Sequence, residues 1–285
     1  MFLITCASGK TGLAIVKKLI SQGVPVRAMV RTTESANKLK MLGVAETIVG
    51  DLKNSVDVGK ALENVSSLYY IAPNMVPEEK KIGKNIIENC LKAEVSHLIF
   101  HSVLHTQIEA LPHHWERHFV EQSIINSGLP FTILQVGSYM QNMLPGWGGI
   151  VKNQIHEMPY SVDVPMSLVD LTDVAQVAFK VLTEPGFENG IFEVAGPSIT
   201  LKEKAEILTK LLGKKIIAEK TPLQQFLDHG KSLGFSEYAL TTMAKMFPYY
   251  DAHGLVGCEK TLEWILGVPP TNFETFARGV VNNYS

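Results

Sequence analysis

The chain is poor in the features that mark several large functional classes. Cysteine occurs only three times in 285 residues, as Cys6, Cys90 and Cys258. The three are widely spaced, odd in number and without a Cys-x-x-Cys pair, which argues against a disulfide framework or a cysteine zinc site and fits a reducing cytosol. Neither sign of charge dominates: 26 Lys and Arg stand against 28 Asp and Glu, a formal net charge of −2. That balance provides no electrostatic drive toward nucleic acid or an anionic membrane. No apolar run reaches the roughly 20 residues of a membrane span, and no basic leader or cleavage motif stands before the first strand-like segment. Internal repeats, low-complexity tracts and charge blocks are missing too. What remains is the expectation of a soluble cytoplasmic globular protein, whose 46% hydrophobic content suffices for a large core.

What is present is alternation. Short apolar runs at Phe2–Thr5, Val26–Val30, Thr47–Val49, Ser67–Ile71, His97–His101 and Phe131–Gln135 read as strands. Between them, helical patterns cover Thr11–Gln22, Glu34–Leu42, Val56–Leu62, Glu78–Lys92 and Leu111–Ser127. In the first of these Gly12, Ile15, Val16 and Leu19 share one face, and Gly23 supplies a left-handed stop. Strands alternating with helices pair in parallel through right-handed crossovers, so the spacing predicts an α/β fold with a doubly wound parallel sheet. After Val136 the character changes. Gly137–Gly149 reads as a loop, Leu168–Leu182 as a strand–helix unit returning to the sheet, and Gly190–Val194 as another strand. Capping boxes at Thr200–Glu203 and Thr271–Glu274 open two later helices, the first stopping at Gly213. The expected organisation is a dinucleotide-binding domain over residues 1–152 and 167–196, and a smaller helix-rich lobe over 153–166 and 197–285.

The first strand runs into Cys6-Ala7-Ser8-Gly9-Lys10-Thr11-Gly12. A Gly-Lys-Thr triplet suggests a nucleoside-triphosphate loop, but that loop needs a glycine five positions before the Gly-Lys pair, and Ile4 stands there. The stretch fits instead a Gly-x-x-Gly-x-x-Gly frame with Cys6 in the first glycine's place. Gly9 would admit a pyrophosphate close to the backbone, and Gly12 would let the helix pack on the strand. Free N–H groups at the helix start would hold the anion. The competing reading is an ordinary strand-to-helix turn with two glycines. Nineteen residues past Gly12, at the end of the second strand, stands Arg31. A carboxylate there would accept from a ribose 2′-hydroxyl, whereas a guanidinium pairs with a 2′-phosphate. With Lys10 as a second cation, the expected cofactor is NADP(H) rather than NAD(H); a solvated strand-end charge is the alternative for Arg31.

Taken together these segments resemble the NmrA-like branch of the atypical short-chain dehydrogenase/reductases, almost from end to end. The likeness rests on the glycine turn, VRAMVR, VGDLKN, HLIFHSVLH, HHWERHFVEQSIINSGLPFTIL and DLTDVAQVAFKVL, and on FEVAGPSITLKEKAEILTKLLGKK and LEWILGVPPTNFETFARGVV near the C-terminus. The resemblance implies a Rossmann fold, with Asp51 and Leu52 beside the adenine and Ala72 and Pro73 along the cofactor. It implies further that Ser102, Gly137 and Tyr139 stand near the nicotinamide. Cys6 departs from the usual glycine and puts cofactor affinity in question.

Many short-chain reductases use a Tyr-x-x-x-Lys pair, in which the lysine lowers the tyrosine pKa for proton transfer. No tyrosine of this chain has a lysine four residues later. The corresponding helix carries His113-His114-Trp115-Glu116-Arg117-His118, with Arg117 where related reductases place a lysine. An arginine can orient a carbonyl or stabilise an oxyanion but is a poor acid. His114 and His118 share a helix face, and an imidazole near its ordinary pKa of about 6.5 can transfer a proton at neutral pH. Three readings stay open for this cluster: proton transfer, a polar pocket lining, and a metal site, the last lacking the Glu of a His-Glu-x-x-His motif. Trp115, Tyr139, Met140, Met143, Trp147 and Met158 suggest a soft pocket for a flat apolar or aromatic small molecule. PYYDAHG after Phe247 reads as either a lid or a plain surface loop. The expectation is therefore an NADPH-dependent reductase of a small electrophile such as a quinone, enone or aldehyde. The alternative is a non-catalytic redox sensor that acts through a protein partner.

Overall fold

The computed structural model describes residues 1–284. The elements run β1 (Phe2–Ile4), α1 (Lys10–Ser21), β2 (Val26–Val30), α2 (Thr33–Met41), β3 (Glu46–Val49), α3 (Ser55–Leu62), β4 (Ser67–Ile71), α4 (Glu79–Lys92), β5 (His97–Val103), α5 (Pro112–Ile125) and β6 (Phe131–Val136). Then follow β7 (Ser138–Tyr139), a 3-10 helix (Met140–Gly146), α6 (Trp147–Asn153), β8 (Ile155–Met158), β9 (Met166–Val169), α7 (Leu171–Thr183), β10 (Gly190–Val194) and β11 (Ser198–Ile199). The chain ends with α8 (Leu201–Leu212), β12 (Ile217–Lys220), α9 (Leu223–Ser232), α10 (Glu237–His253), α11 (Glu259–Leu266) and α12 (Phe273–Tyr284). No helix among the described residues is long and apolar enough to cross a membrane.

Two compact units form. The first comprises residues 1–107, 114–136 and 172–192, and the second residues 108–113, 137–171 and 193–285. The expected segments 153–166 and 197–285 both fall in the second unit, as do residues 137–152.

The first unit is built on a seven-stranded sheet of order β10-β6-β5-β4-β1-β2-β3. β1 pairs in parallel with β2 and with β4, and parallel pairing continues outward through β2–β3, β4–β5 and β5–β6. This is the doubly wound α/β architecture, and the strand order reverses between β1 and β4. β2 and β4 are buried along their whole length, which explains why they read as unbroken runs rather than alternating ones. The charged exception is Arg27 in β2. Its guanidinium pairs with Glu46 at 2.6 Å and donates to the carbonyls of Ala61 and Glu63, so its burial leaves no donor stranded. One face of the sheet packs Leu3, Leu68, Tyr70, Leu98, Phe100 and Ile133 against Val58 and Leu62 of α3, Ile82 and Ile86 of α4, and Val120 and Ile124 of α5. Helix α1 buries Ile15, Val16 and Leu19, as its pattern predicts, and Gly23 ends it at φ +70°.

The second unit departs from the sequence reading in four places. Residues 137–149 are not an irregular loop but contain β7, the 3-10 helix and the start of α6. The strand before α7 does not return to the main sheet. β9 pairs with β7 and β11 in a separate three-stranded sheet, and β10 takes the place on the main sheet. Backbone proximity explains the pairing: a Cβ on Gly196 would overlap the Leu168 carbonyl, and one on Gly137 would stand 3.2 Å from the Ser167 carbonyl. PYYDAHG is neither lid nor loop but the last turns of α10, with Pro248 inside the helix. That turn is anchored, since Tyr250 is buried and Asp251 accepts from the Ser161 amide at 2.6 Å and pairs with Lys220 at 2.7 Å. Finally, Asn272 rather than Thr271 caps α12, accepting from the Thr275 amide at 2.9 Å. The capping box at Thr200–Glu203 is present in full, and Gly213 ends α8 at φ +64°.

Candidate functional site

Open α/β sheets bind ligands outside the carboxyl ends of the strands, where the strand order reverses. In the first unit that point lies between β1 and β4, and Thr5 fastens it. The Thr5 hydroxyl donates to the Ile71 carbonyl at 2.9 Å and accepts from the Ile71 amide at 2.8 Å, extending the β1–β4 pairing by one side chain. The chain then turns. Cys6 adopts φ +46°, and its carbonyl accepts from the Gly9 amide at 2.9 Å. A left-handed conformation is the one for which a glycine is normally required, so the turn keeps the shape of the expected motif while carrying a side chain. Burial pushes the Cys6 thiol up to about 11, against the opposing pull of the Arg31 and Arg117 guanidinia, so it stays protonated at neutral pH.

Helix α1 leaves this turn directly. Gly9 is its N-cap and supplies no side-chain cap, and no acidic residue stands in the first turn. The amides at the helix start therefore face a positive dipole end without a carboxylate to quench it, which is the electrostatic condition for holding an anion. Gly12 sits against the turn so closely that a Cβ there would lie 2.5 Å from the Cys6 carbonyl oxygen and 2.8 Å from Ala7 Cα. Ser8, Gly9 and Lys10 are exposed and Thr11 is buried. Arg31, the residue after β2, is exposed. After β3, Asp51 and Leu52 are rigidly held. The Asp51 amide donates to Asp57 at 3.0 Å, Asp51 Oδ1 accepts from the Lys53 amide at 2.9 Å, and the Leu52 carbonyl accepts from Asn85 at 2.8 Å. Ala72 is buried and Pro73 half-buried just beyond β4. The residues from Cys6 to Pro73 are thus gathered at the carboxyl ends of adjacent strands of one sheet, and they suit a dinucleotide with a phosphorylated ribose.

The inner face of α5 is polar and clamps the end of β5. Nδ1 of His114 donates to the Leu104 carbonyl at 2.6 Å, and Nη1 of Arg117 donates to the His101 carbonyl at 2.6 Å. Nε of Arg117 pairs at 2.7 Å with Glu79 of α4, both side chains at most 5% exposed. One turn on, the Glu121 carboxylate accepts from the Ser102 hydroxyl at 2.5 Å, from Thr106 at 2.9 Å and from Gln135 at 3.0 Å. Burial raises its pKa, and these hydrogen bonds oppose the rise. His101 is sealed in the interior with Nδ1 at 2.9 Å from the Tyr69 hydroxyl. Burial first, and the Arg117 charge second, hold its pKa down at about 3, so the ring is neutral. His118 differs from its neighbours: it is half-buried and stacks on Trp115 with ring centroids 5.0 Å apart and planes 5° from parallel.

Sequence reasoning did not single out Glu79 and Glu121. Their signal was available, because His114, Arg117 and Glu121 recur at helical spacing on the side of α5 that an amphipathic helix would fill with apolar residues. Ser102 is fully buried with its proton committed to Glu121. Gly137 and Tyr139 belong to the second unit, Gly137 buried at the start of β7 and Tyr139 half-buried within it. Met140 and Trp147 are buried in that unit, and Met143 and Met158 are half-buried.

Comparison with known proteins agrees with this fold. A family model described as the NmrA-like family matches residues 1–277. The chain is similar to an NAD(P)H azoreductase of Xenophilus azovorans, 28% identical over 98% of this chain and 97% of that one. Among solved structures it is similar to an NADPH-dependent quinone oxidoreductase of Escherichia coli complexed with NADPH, at 25% identity, TM-score 0.86 and 99% coverage of both chains. NmrA, a negative transcriptional regulator solved in complex with NAD, shares the fold, with TM-score 0.79 at 15% identity over 99% of this chain and 95% of that one.

Proposed function

The chain belongs to the NmrA-like family, and we propose that it is an NADPH-dependent oxidoreductase acting on a small apolar or aromatic electrophile such as a quinone, enone or aldehyde. The observation that carries the reading is the opening of α1: a glycine cap with no side-chain partner and no first-turn carboxylate, with exposed Arg31 ending the neighbouring strand. NADPH, when bound, supplies the hydride. The first-turn amides and Lys10 would hold the pyrophosphate, Arg31 the 2′-phosphate, and the Asp51–Leu52 turn the adenine. Ala72, Pro73 and Ser102 would follow the cofactor toward its nicotinamide end, as the family resemblance implies.

For proton transfer the three candidates on α5 are not equal. His114 and Arg117 spend donors on main-chain carbonyls, and Arg117 is neutralised by Glu79. Their proposed role is to fix the β5 end. His118, half-buried and stacked on Trp115, is the better placed to exchange a proton with a ligand. One observation favours the sensor reading as a second possibility: the Tyr-x-x-x-Lys pair is missing and the arginine in the lysine's place is already engaged. NADPH consumption across a panel of quinones, enones and aldehydes separates the two. Turnover of any of them that falls in His118→Asn supports the enzyme, whereas silence from all of them, with NADPH binding intact, assigns the chain to the sensors.

A further inference from the structure

A second electropositive place lies in the second unit, between α8 and β8. Lys204, on the first turns of α8, is only 6% exposed. Its ammonium has no hydrogen bond to a side chain and no ion pair among the described residues. The nearby carboxylates are otherwise engaged. Glu203 closes the capping box with Thr200, and Glu157, one residue along β8, accepts from the Thr221 hydroxyl at 2.5 Å. His156, on β8, is 4% exposed, and its Nε2 is sealed from solvent without a hydrogen-bond partner. Helix α8 packs on β8, and burial first, with the Lys204 charge second, holds the His156 pKa down. The positive end of the α8 dipole adds to the same potential.

Buried charges are ordinarily paired, and a lysine side chain this largely buried without a carboxylate partner is uncommon. The sealed, unpartnered Nε2 of His156 adds a donor to the same place. We propose that Lys204 and His156 form a binding site for a small oxyanion, a carboxylate or a phosphoryl group, with the ammonium supplying the charge and His156 Nε2 a hydrogen bond. Burial also holds Lys204 down at about 8, low for a lysine but high enough to leave the ammonium charged at neutral pH. The site stands apart from the dinucleotide reading, and its test needs no nucleotide.

The test is thermal unfolding of the full chain at pH 7, with sodium acetate or sodium phosphate exchanged for sodium chloride at constant ionic strength. The expected result is a rise in Tm of roughly 2–4 °C once either anion exceeds its dissociation constant about five-fold. The part of the rise due to this site is lost in Lys204→Met. Any phosphate response at the opening of α1 is common to wild type and this variant, so the difference between the two reads this site alone. A response to acetate alone assigns a carboxylate ligand, and one to phosphate alone assigns a phosphoryl group. The second measurement follows the His156 ring resonance, identified by its loss in His156→Asn, which should move on adding the effective anion to wild type. No Tm response beyond the chloride control, a response as large in Lys204→Met as in wild type, or an unmoved His156 signal overturns the proposal.

Discussion

Replacing Gly12 by alanine sets two physical effects against each other, and their magnitudes decide the outcome. Gly12 is the third residue of α1. On helix propensity alone, Gly→Ala should stabilise by about 1 kcal/mol. The added methyl would, however, lie 2.5 Å from the Cys6 carbonyl oxygen and 2.8 Å from Ala7 Cα. Both are main-chain atoms of a turn that Thr5 ties to β4, so neither yields by a rotamer change. Overpacking of this kind costs about 1–3 kcal/mol, and contact with backbone belongs at the upper end. The net expectation is a loss of about 1–2 kcal/mol, a fall in Tm of roughly 2–8 °C for a chain of this size. Gly279 is the control. It lies in α12 with no heavy atom within 4 Å of its added Cβ, so Gly279→Ala should stabilise by about 1 kcal/mol. Forcing α1 away from β1 also moves the first-turn amides, so NADPH affinity should fall in Gly12→Ala and not in Gly279→Ala. Scanning calorimetry on both variants is the assay. A Gly12→Ala protein that melts at or above wild type would refute the close-packing argument.

Further outcomes follow from the buried charges. Arg117→Met strands Glu79 in the interior and should cost about 3–5 kcal/mol in urea unfolding, while adding Glu79→Leu should recover much of that; a double variant no more stable than the single one would contradict the ion-pair account. Acid should destabilise the fold through its sealed histidines. His101 and His156 have folded pKa values near about 3 against 6.5 unfolded. Above 6.5 both states are neutral and nothing is lost; below it the unfolded state takes up protons that the folded state refuses. Stability should then fall by about 1.4 kcal/mol per pH unit for each histidine between about 6.5 and 3. His156→Asn should flatten the slope measured between pH 7 and 5, and an unchanged slope would mean that the ring is not buried neutral.

Much of the first unit could be read from residue order because its signals are local. The six leading strands are short apolar runs bounded by turn residues, and the helices between them carry one apolar face each. The glycine turn was legible for the same reason, since a spacing of three between Gly9 and Gly12 encodes one tight turn. What was not legible depended on which backbone meets which. The strand–helix unit read over Leu168–Leu182 does contain a strand end, but nothing in the four buried residues of β9 tells whether it joins β6 or β7; the close approach at Gly196 decides that, and it is visible only in three dimensions. PYYDAHG reads as either a lid or a surface loop, and proline usually ends a helix, but the burial of Tyr250 and the bonds of Asp251 carry α10 past Pro248. The inner face of α5 is invisible to apolar periodicity, because Arg117 and Glu121 occupy its inward positions. Arg117 looked like a ligand-facing group in sequence; its carboxylate partner lies 38 residues away on α4.

The central claim is that the bare start of α1 and the Arg31 guanidinium together grip a 2′-phosphorylated dinucleotide. Isothermal titration of wild type and Arg31→Ala with NADPH and with NADH tests it most directly. A hydrogen-bonded charge contact contributes about 1.5–3 kcal/mol, so wild type should prefer NADPH by roughly 10- to 100-fold. Arg31→Ala should bring the two close to parity while leaving NADH affinity nearly unchanged. Equal affinities in wild type, or no heat with either nucleotide at millimolar concentration, would contradict the account.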